Sequence, residues 1–505
     1  MEVFNTVINS VNNVIWSMAL VVLLLAVGIY FTIRSKGVQF RYFIEMCRLI
    51  GEKNEESKEN GLTPFQAFAT TVGARIGMGN IAGVGTALFF GGPGAIVWMQ
   101  ITALVGAASA TVESSLGQAY KERSNGELIG GPAYYIEKGL HAKWLAVIFA
   151  IAAIMGPGLL MPAVQTHSTA VAIQSSFGLP FVATGIIIFI LLGISIMGGI
   201  QRIGKVAELL APFMCILYLV CGLVILFMNI GNLGSAIVDM FTAAFGQNAM
   251  YKSIIGAMIG WGVKRGLFSN EAGQGSGPIV SSAAETTHPV KQGLIQGLSV
   301  YIDTLLVCTI TGISLMVTGM YNVSANADGT VLIKTGLPGV EYGVSYMQDA
   351  MQNNFGGAFG NCLLSILIAI FVFTTLMAYY YQAEANLRYL TKGSKVATRI
   401  FQVVYLFANF LGVLVNGQVI WSMGDTGAGL MAWANLIGIA ILSPVFFRLL
   451  KDFDKQKKAG LDPIYDPATV GLEDKEGIWT SFVARKKARG DYENPALGYD
   501  SITKK

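Results

Sequence analysis

Eleven long apolar runs dominate this 505-residue chain, and few folds can hold them. They cover 12–33, 65–90, 93–118, 144–175, 180–199, 206–229, 249–277, 291–320, 360–388, 397–416 and 427–447. About 20 apolar residues cross a bilayer core as a helix. Lipid offers no hydrogen bonds, so a span must satisfy its own backbone, which a helix does and an isolated strand does not. The fold class expected is therefore an all-α membrane protein of about eleven transmembrane helices. Composition agrees: 13% of residues are charged, against roughly 25% in an average soluble domain, and mean hydropathy is +0.57. A soluble multidomain enzyme, a disordered scaffold and a nucleic-acid binder are disfavoured together. The first run has no basic residue before it and no small-residue cleavage site after it, and it is too long for a signal core, so it reads as a retained helix. Cys47, Cys215, Cys221, Cys308 and Cys362 lack CxxC spacing and read as small hydrophobes.

Lysine and arginine placement gives the orientation. With the N-terminus outside, the inner segments hold 29 of the 34 basic residues, while the outer loops hold only Lys252 and Lys334. The expectation is a multi-pass cell-membrane protein with its N-terminus outside and its C-terminus cytoplasmic. The chain divides into an N-terminal helix and cytoplasmic loop (1–64), a five-helix repeat (65–229), an external connection (230–248), a second five-helix repeat (249–448) and a polar cytoplasmic tail (449–505). Residues 321–359, rich in Asn, Gly and Asp, form the longest outer connection, expected to be partly ordered over a cavity.

Glycine placement carries the functional information. The second run contains Gly73-Ala74-Arg75-Ile76-Gly77-Met78-Gly79-Asn80, and the seventh contains Gly260, Gly262, Gly266, Gly273, Gly275 and Gly277 around Lys264, Arg265, Ser269, Asn270 and Glu271. Irregular backbone at membrane depth is tolerated where it lines a protein-enclosed or watery cavity. Unwinding frees helix-end amides for a carboxylate and carbonyls for a cation, which suits both ligands of an amino-acid and cation co-transporter. Setting the first span aside, the two interrupted helices each open a group of five. Paired interruptions in two halves mark an inverted-repeat transporter with a midplane site. Close helix packing is the plainer explanation of either glycine cluster alone; two in register, each with polar side chains, favour the transporter.

The stretches GMGNIAGVGTALFFGGPGAIVWM (77–99), GGPAYYIEKGL (130–140), GVKRGLFSNEAGQGSGP (262–278), HPVKQG (288–293), DTLLVCTITG (303–312) and YYYQAEANLRYL (379–390) are long and specific. Through them the chain resembles the alanine or glycine:cation symporter family, the sodium:alanine symporters, over essentially all eleven runs. Val97, Gln100 and His167 depart from the family pattern. The resemblance implies the leucine-transporter-like fold, one extra N-terminal helix plus a 5+5 inverted-repeat core with two broken helices. It implies that the Gly73 and Ile76 carbonyls bind sodium with the Thr374 and Thr375 hydroxyls; back-bonding to the preceding turn is the structural alternative for those threonines. A second sodium site in the wider fold would use the Arg75 carbonyl and the Asn80 side chain. A guanidinium at midplane is costly and normally paired, so Arg75 is expected to pair with Glu271 or Asp303, as a gate or a buried ion pair, leaving one sodium per substrate.

The amides of Gly77, Met78, Gly79 and Asn80 are expected to hold a substrate carboxylate. Carbonyls around Ser269 and Asn270, with the Asn270 side chain, would take the ammonium. Gln165, a lone amide on an apolar run, is a site contact or a packing hydrogen bond. His141 and His288 fall near loops and read as solvated, and His167 is the candidate pH sensor. Glu113, Glu208 and Glu384 sit near expected inner ends, where gate pairing is expected, with Glu384 and Arg388 at i,i+4 spacing. No HExxH, GxSxG or P-loop motif is present, which argues against an enzyme. The expected function is sodium-coupled import of a small neutral amino acid, alanine or glycine, by alternating access. No cofactor is implied beyond the co-transported Na+, and the partners are the amino acid and the bilayer, with no nucleic acid and no obligate protein partner. Proton coupling, a glutamine preference and a channel stay open as alternatives.

Overall fold

The computed structural model describes residues 2–52, 61–415, 417–490 and 492. Lys53 and Lys58 of the basic loop and Lys504 and Lys505 of the tail lie outside the described residues. In chain order the helices that build the core are α1 (Thr6–Arg34), α2 (Pro64–Arg75), α3 (Gly79–Gly91), α4 (Gly94–Ala119), α5 (Lys143–Phe177), α6 (Phe181–Ile196), α7 (Gly199–Met228), α8 (Ile255–Asn270), α9 (Gly277–Ser282), α10 (Pro289–Thr318), α11 (Ala358–Thr391), α12 (Lys395–Val413), α13 (Gly417–Ile441), α14 (Ser443–Lys458) and α15 (Ile478–Arg489). Among the described residues, seven helices are long and apolar enough to cross a bilayer, or up to eight if the α13–α14 pair, bent by 61°, is one span. The other expected runs are the broken pairs α2–α3 and α8–α9 and the 16-residue α6, so span length alone does not give a count of eleven. The last run begins ten residues earlier than expected, at Gly417, and takes Asp425 into the helix.

Both expected interruptions are present. Thr63 caps α2 in a reciprocal box with Gln66, and Pro64 opens the first turn, where no amide partner is needed. α2 ends as Ile76 becomes extended (φ −75°, ψ 93°). α8 ends at Asn270, where Glu271 takes a left-handed conformation (φ +55°), and the chain resumes as α9 at Gly277. Gly275, at φ +88°, turns between Pro132 and Phe149, where a Cβ would lie 2.7 Å from Pro132 Cγ. Wide π turns, a recurrent signature of functional sites, occupy Gly79–Gly83 and Tyr301–Cys308, both beside the breaks.

Packing follows the two groups of five. α4 packs on α8 and α9, and α10 packs on α2; α5 packs on α13, and α11 on α7. Exchanging the first five spans for the second five maps these pairs onto one another, while α4–α10, α5–α11 and α6–α12 pair with themselves. α1 lies outside this scheme against α4 and α13, with Trp16 Nε1 donating to the Asp425 carbonyl at 2.8 Å. In lipid, such contacts rest on close approach and interhelical hydrogen bonds rather than on the hydrophobic effect.

The two ends of the bundle differ. One carries a β-hairpin (Asn322–Ser324 with Leu332–Thr335) and the helix Val344–Phe355, and is called the hairpin face here. At the other, the tail face, the segment after α13 is folded onto the bundle rather than extended. Trp479 Nε1 donates to the Gln118 carbonyl (3.1 Å), the Tyr465 amide to the Thr287 carbonyl (2.8 Å), and Lys291 Nζ binds Glu52 and Asp462, each at 2.6 Å. His288, expected to be solvated, is fully buried here, because it caps α10 under Phe453 and Tyr465. A bridge from Leu62 to Ala284 ties the two broken helices together at this end.

Candidate functional site

The two breaks meet α5, α10 and α11 in one buried polar layer. Gly73, Asn80, Gln165, Ser269, Asn270, Asp303, Thr374 and Thr375 are all buried. On the α11 side, Thr374 Oγ1 and Thr375 Oγ1 donate to the Gly73 carbonyl at 3.2 and 2.9 Å. Both also reach the Phe371 carbonyl, at 2.8 and 3.0 Å. The back-bonding expected as the alternative is therefore present together with the cross-helix contact. Two hydroxyls and two carbonyls make an uncharged oxygen cluster of the kind that suits a hard cation. Ile76 lies three residues after Gly73, and its extended backbone takes its carbonyl out of the helical direction. Phe371 was not expected as a contributor; a main-chain carbonyl leaves no mark in side-chain chemistry.

The substrate-side amides are already engaged. Asn80 Oδ1 accepts the Gly77 amide at 2.9 Å, and Gln165 Oε1 accepts the Met78 amide at 3.2 Å. Two amide oxygens thus occupy the positions expected for a carboxylate. Gln165 is a contact of the broken helix rather than of packing alone. Gly77 must be glycine here, since a Cβ would lie 2.7 Å from Thr375 Oγ1 and 3.1 Å from Gln165 Oε1. Gly79 packs on the Ser269 backbone, so the two breaks touch.

Asp303 organises the far side. Its carboxylate accepts from Asn80 Nδ2 (2.6 Å), Ser269 Oγ (2.9 Å) and Thr304 Oγ1 (2.7 Å). Asn270 differs from expectation: its Nδ2 donates to Thr304 Oγ1 at 3.2 Å, and its Oδ1 accepts the Ala272 amide at 3.0 Å, so the side chain stabilises the break.

Arg75 likewise departs from the expected pairing. Its Nη1 donates to the Gln296 carbonyl at 3.0 Å and to Ser299 Oγ, both on α10, and no ion pair with Glu271 or Asp303 forms. Asp303 is held by neutral donors, and Glu271 accepts from Ser276 Oγ at 2.6 Å. The expected trio shares a layer without touching. Near it stands Glu113, which accepts the Gly273 amide at 3.3 Å and Asn435 Nδ2 at 2.6 Å instead of pairing with a basic residue. Glu384 does pair with Arg388, at 3.3 Å, and Glu208 accepts from Gln66 at 2.9 Å. His167 Nδ1 lies 3.1 Å from the Gly412 carbonyl.

The residues least visible beforehand are Lys264, Arg265 and Asp425. Asp425 binds Lys264 Nζ at 2.8 Å and also Arg265 Nη2. Two cations in an apolar run demand a counter-ion, which was the available signal, but an apolar window starting at 427 set Asp425 outside the helix.

Comparison with known proteins adds identity to this geometry. The model of the sodium:alanine symporter family matches residues 1–467. A putative sodium/proton-dependent alanine carrier protein of Bacillus subtilis (strain 168) is 46% identical, over 92% of this chain and 95% of its own. A probable sodium/glutamine symporter of the same organism is 37% identical, over 92% and 94%. A sodium/alanine symporter of Methanococcus maripaludis is 37% identical, over 90% and 98%.

Proposed function

The chain belongs to the sodium:alanine symporter family, a premise from which we propose that it imports alanine or glycine together with Na+. Cation-coupled amino-acid symport is the activity class of the family, and this protein is a multi-pass membrane transporter rather than an enzyme. In the finer reading, sodium is held by the Gly73, Ile76 and Phe371 carbonyls with the Thr374 and Thr375 hydroxyls. The observation that carries it is the convergence of both hydroxyls on Gly73, at the break of α2. A cation there turns the hydroxyl protons away and takes the lone pairs, tying α11 to the broken helix.

The substrate carboxylate takes the amides of Gly77 to Asn80, displacing the Gln165 and Asn80 oxygens, and the ammonium meets the carbonyls at Ser269 and Asn270. These side-chain oxygens keep the amides satisfied between transport cycles, so emptying the site does not strand buried donors. Arg75, Glu271 and Asp303 set the charge of the layer that the two halves share. Residues 65–229 and 249–448 act as the two repeats, joined by 230–248, with the hairpin face outside and the tail face cytoplasmic. Coupling requires that sodium stabilise one of the two access states more than the other.

A second reading is proton coupling. The Bacillus subtilis relative is described as sodium/proton-dependent, and Glu113 and Glu271 are buried carboxylates with neutral partners. The glutamine-named relative makes glutamine the competing substrate. The test is uptake of alanine, glycine and glutamine into proteoliposomes under an inward sodium gradient, an equal potassium gradient and a pH gradient. Concentrative alanine or glycine uptake only with sodium is expected. Uptake that follows the pH gradient without sodium refutes the sodium reading.

A further inference from the structure

The charged trio between the breaks and the hairpin face has no part in the site described above. Lys264 and Arg265 of α8 share the single carboxylate of Asp425 on α13, so two cations face one anion in a buried position. Arg265 is 1% exposed, yet its Nε and Nη1 have no hydrogen-bond partner in the protein. Its guanidinium lies among three rings, with Cζ 5.3 Å from the Trp261 ring, 5.3 Å from Phe268 and 4.9 Å from Trp421. A buried guanidinium with unused donors and a surplus of positive charge is an incomplete arrangement.

Its position tells what would complete it. Arg265 lies four residues, about one helical turn, before Ser269. On its other side it faces α3, where a Cβ at Gly83 would lie 3.7 Å from Arg265 Cδ and 3.6 Å from the Met78 carbonyl. A cleft lined by Ala82, His167, Glu341, Tyr342 and Trp421 reaches the same Trp421 ring from the hairpin loops. The side chain therefore stands between the hairpin face and the Gly77–Asn80 amides.

We propose that Arg265 is a docking residue for the α-carboxylate of the incoming amino acid. When α8 and α13 separate at the hairpin face, Lys264 stays with Asp425, so that neither charge is stranded. Arg265 then presents its planar fork of donors, which matches a carboxylate in two parallel hydrogen bonds. The aromatic rings flank that fork. The substrate passes from there to the amides one turn deeper, and closure returns Arg265 to Asp425. This inference rests on the amino-acid reading of the site.

Alanine uptake in proteoliposomes under a saturating sodium gradient tests it, with Arg265→Gln, Arg265→Lys and Asp425→Asn beside the wild type and alaninamide as a carboxylate-free competitor. Arg265→Gln is expected to raise the alanine KM at least tenfold with a smaller change in kcat, and to leave the weak inhibition by alaninamide unaltered. Arg265→Lys, which keeps the charge and loses the fork, is expected in between and serves if the glutamine variant fails to fold. Asp425→Asn removes the closing contact but keeps the guanidinium, and is expected to lower kcat without the KM rise of Arg265→Gln. An unchanged KM in both arginine variants overturns the docking role. Equal KM increases in Arg265→Gln and Asp425→Asn overturn it too, since they mark a closing contact only. A wild type that takes up no alanine, glycine or glutamine overturns the amino-acid reading itself, and the docking role with it.

Discussion

Replacing Thr375 by valine removes one oxygen from the proposed sodium cluster at nearly constant volume. The hydroxyl lies 2.9 Å from the Gly73 carbonyl and 3.0 Å from the Phe371 carbonyl. Gly73 keeps the donor of Thr374 at 3.2 Å, so the cation-free protein loses little. The bound cation loses a ligand outright. A polar contact to a charged group is worth about 1.5–3 kcal/mol, which at 1.4 kcal/mol per decade raises the half-saturating sodium concentration by about 10- to 150-fold. Thr375→Ser keeps the oxygen and is expected to stay within about fivefold, the cost of a lost methyl being about 1 kcal/mol or less. The assay is initial alanine uptake against sodium, with choline replacing sodium at constant ionic strength. A Thr375→Val half-saturation within twofold of wild type refutes the cation role, as does an equal shift in Thr375→Ser.

Three further outcomes follow from the geometry. Gly77→Ala drives a Cβ to 2.7 Å from Thr375 Oγ1 and 3.1 Å from Gln165 Oε1; overpacking of about 1–3 kcal/mol is expected to cut sodium-driven uptake roughly tenfold or more at normal membrane abundance, checked by uptake per molecule of purified protein. Gln165→Leu leaves the Met78 amide without its 3.2 Å acceptor; an unsatisfied buried donor costs about 1–3 kcal/mol, and a change in alanine KM is expected with sodium affinity nearly constant, measured by varying each ligand separately. At the tail face, burial holds the His288 imidazole below its usual range, against the opposing pull of Asp452, with Lys291 and Asp462 also near. His288 Nδ1 accepts the Val290 amide at 3.1 Å, so the packed ring is neutral. Below about pH 6.5 the unpacked ring takes up a proton and the packed ring does not, so tail packing is strongest above that pH and weakens as pH falls. Proteolysis of the 459–477 segment is expected to speed up below about pH 6.5 in the wild type and to lose that pH dependence in His288→Gln.

Much of this molecule was legible locally. Apolar run length fixes a helical membrane protein, because hydrogen-bond satisfaction in lipid is a property of each segment by itself. The Gly73–Asn80 and Gly260–Gly277 clusters mark both breaks for the same reason: helix propensity is local. Which groups the breaks would meet was not legible. Thr375 and Gly73 are 302 positions apart and touch only because α11 crosses α2 at the break. Arg75 called for a counter-charge by its cost in lipid, yet the carbonyl of Gln296 and the hydroxyl of Ser299 are what α10 brings to it. The Asn270 side chain reaches Thr304 and the Ala272 amide across the break, and Asp425 had the place of a loop residue and became the partner of Lys264 and Arg265. The sequence by itself determined that the chain is a helical membrane protein and where its backbone opens. The tertiary structure decided who satisfies the opened backbone, since a freed amide or carbonyl accepts any complementary group that packing delivers within hydrogen-bond reach.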